Sequence, residues 1–177
     1  MFLGYGALNS KISQTFANPF FVGITLEYQI ERVVMQVEDF IGFGKVKMNS
    51  DLPKNWERRN KTALHFLGGI NFGYTIFNMR TIKFVPLIGI GANSISSRIV
   101  DLNTNSTIEP FLPHLKLGCF IDFKIDDDYD TYSAIRVSFG INYQIENSKF
   151  EYLFKGNMFY FTVGCGNIAQ IIKRKTK

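Results

Sequence analysis

Apolar and polar residues alternate one by one along several long segments of this 177-residue chain. In the segment 135–145 every second residue is Ile, Val, Phe or Tyr, and Arg, Ser, Gly, Asn and Gln lie between them. Successive side chains of a β-strand point to opposite faces, so this spacing would place all the apolar residues on one side. A helix would scatter the same residues around its circumference. The alternation therefore predicts an all-β protein.

Eight segments can be assigned as strands from this period of two and from the polar residues that bound them. They are residues 2–8, 20–30, 32–48, 64–76, 81–94, 114–125, 135–145 and 157–168. The third segment loses its phase near Asp39, and an unbroken register would place that carboxylate on the apolar face. We therefore expect a β-bulge at residues 38–40. Pro86 lies inside the fifth segment, although proline cannot donate to a strand ladder.

The connections between these segments alternate between long and short. The long ones are residues 9–18, 49–61, 95–113 and 147–156, and the short ones are 31–32, 77–80 and 126–130. This order is typical of an up-and-down barrel with all its large loops at one end. We find no linker and no second domain, so residues 1–177 are predicted to form a single antiparallel eight-stranded β-barrel, with a basic tail at 169–177.

Alternation alone leaves open which face of each strand points into the barrel. A soluble barrel has its apolar face inside, whereas a membrane barrel has it outside. Strands of about ten or more alternating residues match the length that crosses a bilayer at a tilt, and soluble strands average about five or six. Glycines on the polar face would weaken a solvated sheet, but they leave room for long side chains in a narrow lumen. These glycines are Gly23, Gly69, Gly73, Gly89, Gly91, Gly140, Gly164 and Gly166.

The polar face also carries charges of both signs. An arginine that faced the middle of a bilayer would cost about 2–4 kcal/mol, so in a membrane barrel Arg136 is expected to face the lumen. A buried charge needs partners, and Glu27 and Glu38 are the candidates for this arginine. We expect a structural network in the lumen that consists of Glu27, Glu38, Lys83, Lys116, Asp122 and Arg136.

The strand pattern and three short runs resemble small outer-membrane β-barrels of the OmpA transmembrane-domain and OmpX type, which are porin-family barrels. The runs are Phe-Leu-Gly-Tyr-Gly at 2–6, Gly-Ile-Asn-Phe-Gly-Tyr at 69–74 and Leu-Ile-Gly-Ile-Gly at 87–91. The resemblance covers nearly the whole chain and implies a transmembrane barrel in the outer membrane of a Gram-negative bacterium. Unlike such proteins, the chain begins without a signal-peptide pattern and ends on a basic tail. The aromatic residues suited to the two membrane girdles are Tyr28, Phe77, Tyr132, Tyr143 and Phe159.

Eight strands leave an interior about wide enough for side chains, so we expect no wide channel. The predicted function is structural or adhesive, in a monomer that contacts outer-membrane lipid and binds an extracellular protein or other surface partner through its long loops. We predict no cofactor and no nucleic-acid partner, since the basic tail has no helix, zinc ligands or ribonucleoprotein motif beside it. The first alternative is a soluble lipocalin-like or calycin-like carrier of a hydrophobic ligand.

The second alternative is a lipid A-modifying outer-membrane enzyme that would use His65 or His114, both near the loop end. The residues that would act with them are Ser94, Ser96 and Ser97, with Glu57 or Glu109 as the orienting acid. No spacing forces these groups together, and histidines that face the lumen would not reach lipid. Two histidines without further ligands also fall short of a zinc site. We therefore predict no catalytic residue and no metal site.

Overall fold

A computed structural model describes residues 1–47, 56–58, 62–96, 99–101, 106–108, 111–127, 131–145 and 155–169. In chain order the elements are β1 (Phe2–Leu8), α1 (Ser10–Thr15), β2 (Phe20–Ile30), β3 (Val33–Lys45), β4 (Trp56–Arg58), β5 (Thr62–Tyr74), β6 (Phe77–Asn78), β7 (Ile82–Ser96), β8 (Ile99–Asp101), β9 (Ser106–Ile108), β10 (Phe111–Asp127), β11 (Thr131–Gln144) and β12 (Asn157–Ala169). Eight long strands pair in the order β1-β2-β3-β5-β7-β10-β11-β12, and β12 pairs with β1, so the sheet closes. Neighbouring strands are antiparallel throughout. The predicted eight-stranded, all-β, up-and-down barrel is confirmed.

The outer face of the barrel is apolar. Each of the eight long strands exposes large hydrophobic side chains, which on β2 include Leu26 and Tyr28. On β11, Ile135 and Phe139 are 43% and 47% exposed, whereas Arg136 is 5% exposed. The face that carries glycine and charge therefore lines the lumen. This is the orientation that strand length and glycine content favour in the sequence.

Strand β3 keeps one register along its whole length, and the predicted bulge is therefore wrong. Asp39 lies opposite Ile24 of β2 and opposite Gly68 of β5, without a shift on either side. Its neighbours Glu38 and Phe40 are both buried in the lumen, while Asp39 itself is exposed on the outer face. The register persists because a slip of one residue would turn these buried side chains outward.

The short connections lie together at one end of the barrel, which we call the turn end. Residues 31–32 join β2 to β3, and Glu31 has a φ of 53°. From Ser96 to Leu87, β7 pairs with β5. Nearer the turn end, Phe84 and Lys83 of β7 pair with β6 instead. Pro86 therefore lies where this side of the strand has no ladder partner, which explains how a proline is accommodated there.

The opposite end, which we call the loop end, is partly covered by α1, in a segment that the sequence assigned as a loop. Ile12 and Phe16 of this segment are buried. The N–H of Ile12 donates to the carbonyl of Lys155 at 3.1 Å, and the N–H of Ala17 donates to the carbonyl of Lys45 at 2.7 Å. The segment thus bridges the end of β3 and the residues before β12. No helix in the described part of the chain is long and apolar enough to cross a membrane.

Two of the long connections meet in a second, smaller sheet. Strand β4 pairs with β8, and β8 pairs with β9, in both cases antiparallel. Strand β4 belongs to the connection between β3 and β5, whereas β8 and β9 belong to that between β7 and β10. The described parts of these two connections therefore contact each other through β4 and β8.

Candidate functional site

The six charged residues that the sequence assigned to the lumen occupy inward positions on five different strands. They are Glu27 on β2, Glu38 on β3, Lys83 on β7, Lys116 and Asp122 on β10, and Arg136 on β11. Their side chains are at most 6% exposed. Because an eight-stranded barrel is only about as wide as its side chains, groups from opposite walls can meet at its centre.

Arg136 is the centre of the larger of two charge clusters. Its Nε and Nη2 donate to the two oxygens of Asp122 at 2.6 and 2.8 Å, and its Nη1 donates to Glu27 at 2.6 Å. Its guanidinium lies 3.6 Å from the ring centroid of Phe120. Such a two-pronged contact fixes the geometry of both groups. Glu27 was a predicted partner, whereas Asp122 was not, although Asp122 lies directly opposite Arg136 in the β10–β11 register.

Lys83 completes this cluster from β7. Its Nζ donates to Glu27 at 2.9 Å and to the amide oxygen of Gln29 at 2.7 Å. The Tyr132 hydroxyl accepts from Lys83 at 3.3 Å and donates to Asp122 at 2.9 Å. Tyr132 is only 2% exposed, so its assignment to an aromatic girdle is wrong. Tyr132 lies just before the predicted strand at 135–145 and was therefore not assigned to it. It nevertheless shares the alternate positions whose side chains point into the lumen.

The second cluster is an ion pair between Lys116 and Glu38, nearer the loop end. Lys116 contacts both carboxylate oxygens of Glu38 and lies 4.4 Å from the ring centroid of Tyr160. Glu38, the other predicted partner of the arginine, is therefore paired with a lysine. Gly118 and Gly140 make room for Tyr160, because a Cβ atom on either would lie within 2.4 Å of its hydroxyl oxygen.

Three acidic and three basic side chains face one another in these two clusters, so their formal charges cancel. Cancellation matters because an unpaired charge in a protein interior costs several kcal/mol. Two interior cavities, one beside Glu38 and one beside His114, have volumes of about 20 Å³ each. Spaces of that size hold about one water molecule. Chemically, this arrangement can stiffen the barrel and fill its lumen.

The loop half of the lumen contains an apolar cluster beside its buried polar groups, and the sequence did not predict this cluster. Its core includes Phe16, Phe21, Leu67, Ile95 and Leu112. Phe21, Leu67 and Ile95 occupy alternate positions of their strands whose side chains point into the lumen, so the alternation alone predicts that they face inward. The alternation does not show that these inward residues form one cluster, because they belong to different strands.

The two histidines face the lumen, whereas Ser94 and Ser96 do not. His65 is fully buried, with the ring centroid of Phe16 at 5.7 Å, and neither of its nitrogens has a hydrogen-bond partner among the described residues. His65 lies opposite Ile95, so Ser94 and Ser96 on either side of Ile95 point outward. Ser97 and Glu109, and the side chain of Glu57, lie outside the described residues.

Within the described part of the chain, no group of three or more His, Cys, Asp or Glu side chains could hold a metal ion. Comparisons of the chain with protein-family models, with curated proteins and with solved structures found no match. The barrel itself is therefore the basis for assigning a function.

Proposed function

We propose that this protein is a membrane-spanning β-barrel of the outer-membrane type that holds its long loops at the cell surface for a structural or adhesive role. The observation that carries the proposal is the continuous apolar outer face, to which all eight long strands contribute exposed hydrophobic residues. The largest apolar patch on a typical soluble monomer covers only about 300–600 Å². A belt around a whole barrel is what lipid contact requires.

Strand length supports the same proposal. Seven of the eight barrel strands have between 11 and 17 residues. A strand needs about 9–11 residues to cross the hydrocarbon core of a bilayer at a tilt of about 45°. These strands are therefore long enough to span, with residues to spare at each end.

Exposed aromatic residues lie near both ends of the barrel, as interfacial girdles would. Tyr28 and Phe77 lie toward the turn end, and Tyr143 and Phe159 lie toward the loop end. Aromatic side chains favour the boundary between lipid and water because one part is apolar and another can remain hydrated.

The lumen argues against a soluble carrier of a hydrophobic ligand. The cavities beside Glu38 and His114 have volumes of only about 20 Å³ each and are far too small for a lipid. A larger cleft, of about 320 Å³, is lined by the charged side chains of Glu27 and Arg136, which do not suit a hydrophobic ligand. The separation of the histidines from Ser94 and Ser96 likewise favours a barrel without enzymatic activity over a lipid A-modifying enzyme. We propose that the protein is a monomer without a cofactor in the outer membrane of a Gram-negative bacterium.

The loops are the parts of this barrel that can bind a partner. The sheet formed by β4, β8 and β9 joins two long connections, and α1 fixes a third against the barrel rim. Loops held by a rigid scaffold are frequent binding sites. An extracellular protein or another component of a cell surface is the partner that this arrangement favours.

Epitope tags on cells would test both location and orientation. One tag is inserted within residues 102–105 of a long connection, and the matched tag is inserted between Met79 and Arg80 at the turn end. In Gram-negative bacteria given a signal peptide, antibodies should label the first tag on intact cells and the second only after permeabilisation. Recovery of the folded protein in the aqueous fraction, without detergent, would contradict the proposal.

A further inference from the structure

Asp39 places a carboxylate on the apolar outer face of the barrel, at the centre of β3. Three outward residues of the strand precede it from Val33, and three follow it as far as Lys45. A strand that crosses a bilayer at a tilt has its central residue near mid-bilayer. Ile24 lies opposite Asp39 on β2, and Gly68 lies opposite it on β5. Within the described part of the chain, this carboxylate has no ion pair and no hydrogen bond.

A charge at this depth calls for a partner. Ionisable residues in the hydrocarbon core are costly, and those that occur there are almost always paired and mark functional sites. The lumen of this barrel follows that rule, since its charged side chains form two paired clusters. The outward residues around Asp39 offer no such partner, because Ile24, Val37 and Ile41 are apolar. A cation from outside the chain would supply what these strands do not.

Gly68, the residue beside this carboxylate on β5, is a glycine that the fold does not require. Among the glycines of the described barrel strands, it alone occupies an outward position. Its φ is not positive, and a Cβ atom on it would meet only the carbonyl oxygen of Glu38, at 3.8 Å. On the inward face of the same strand, a Cβ atom on Gly73 would lie 2.6 Å from Leu87. A glycine inside a strand often marks a place where another backbone approaches closely.

Ala92 on β7 extends the site by one strand. It lies opposite Gly68, so three neighbouring strands present Asp39, Gly68 and Ala92 in one row, which we call the Asp39 groove. Neighbouring strands lie about 4.7–4.9 Å apart, so the groove is about 10 Å long. Larger exposed side chains border it on both sides, namely Ile41 and Phe66 toward the loop end and Ile70 and Ile90 toward the turn end. Small residues at such a place let a second backbone come close.

We propose that the Asp39 groove binds a membrane-spanning helix of another protein, which presents a lysine or arginine to Asp39; this site rests on the proposed membrane location. A helix is about 10–12 Å across, which matches a row of three strands. A lone cation in lipid is also costly, so pairing relieves both charges. A symmetric contact between two copies would set Asp39 against Asp39, and like charges repel. Lipid headgroups lie at the bilayer surface, far from mid-bilayer.

Photo-cross-linking tests this site on the full chain refolded into phosphatidylcholine vesicles. The probe is a synthetic leucine-alanine helix of about 20 residues with one central lysine, beside which a leucine carries a diazirine. Its twin has leucine in place of the lysine, and mass spectrometry locates the adducts. We expect adducts of the lysine peptide on outward residues of β3, β5 and β7, in a yield about tenfold above that of the twin.

Three variants separate charge, shape and general effects on the barrel. Asp39→Asn keeps the shape of the side chain without its charge and should abolish the preference for the lysine peptide. Gly68→Phe should lower the yield of lysine adducts by filling the groove, without lowering the free energy of unfolding, since a Cβ atom there meets open space. The matched control is Val137→Phe on β11, in the opposite wall of the barrel, which should leave the yield unchanged.

Equal yields from the two peptides, or a lysine preference that survives Asp39→Asn, would overturn the proposal. Two further results would also overturn it. Self-association of the chain that Asp39→Asn abolishes would assign the groove to a second copy, and loss of the preference on addition of phosphatidylethanolamine would assign Asp39 to a lipid amine. A chain that does not float with the vesicles contradicts the proposed function and this site with it, whereas a chain that floats without the lysine preference overturns this site alone.

Discussion

Arg136 shows at the residue scale why the lumen charges act as a set. This side chain contacts Asp122 and Glu27 at once, and all three are at most 6% exposed. Loss of the arginine would leave two carboxylates without their main counter-charge. Removal of one member of a buried pair destabilises a protein more than removal of both, because the remaining charge is left uncompensated.

Replacement of Arg136 by methionine should therefore lower the free energy of unfolding by about 3–5 kcal/mol. The measurement is urea unfolding in detergent micelles or vesicles, followed by circular dichroism. The matched control is Arg32→Met in the exposed β2–β3 turn, where we expect a change of less than about 0.5 kcal/mol. Equal effects of the two substitutions would show that the lumen network does not hold the barrel together.

Asp39 is the residue that fits the apolar outer face least well. It is exposed between Val37 and Ile41, near the middle of β3. If this face contacts lipid, Asp39→Val should raise the free energy of unfolding in vesicles. A basic residue at mid-bilayer costs about 2–4 kcal/mol and an acidic residue costs less, so we expect a gain smaller than that. The same substitution should have little effect in a soluble barrel. No gain in vesicles would contradict lipid contact at this position.

At the scale of elements, period-two alternation was sufficient to locate the eight barrel strands but not the helix or the short strands β4, β6, β8 and β9. The predicted bounds of β1 and β2 match the structure, and those of the longer strands differ by a few residues at their ends. Segment α1 has only six residues and buries Ile12 and Thr15, which is too short a pattern to show a helical period. Short helices depend on tertiary contacts, and those of α1 join residues far apart in the sequence.

The turn between β2 and β3 offers a test of element geometry. Glu31 has a φ of 53°, in the left-handed region that favours glycine, and it is the first of the two turn residues. We expect Glu31→Gly to stabilise the barrel by about 0.5–1 kcal/mol, because the strain at this position disappears. Glu31→Ala is the control and should not stabilise, since alanine retains the Cβ atom. A similar gain from both variants, in thermal or urea unfolding, would point to loss of charge instead.

At the scale of the whole molecule, the sequence predicted which residues face inward but not all of their partners. Glu27 and Arg136 are 109 residues apart, and they meet only because the closed barrel brings opposite walls together. The Asp122–Arg136 contact is different, since both residues belong to one hairpin and lie directly opposite each other. Counting outward from the Asp127–Tyr132 pair would place Asp122 opposite Val137, and a bulge between Lys124 and Asp126 shifts the register so that Asp122 faces Arg136. The cross-lumen contacts require the diameter and stagger of the barrel.

Contact between the outer face and lipid is the central claim, and photolabelling of the unaltered protein tests it most directly. The protein is refolded into vesicles that contain a phospholipid with a diazirine on its acyl chain, and the labelled residues are identified by mass spectrometry. We predict adducts on outward residues such as Phe139 and Phe161, and none on the lumen residues Phe21 and Phe120. Adducts on the lumen residues, or a folded protein that stays unlabelled in the aqueous phase, would contradict the account.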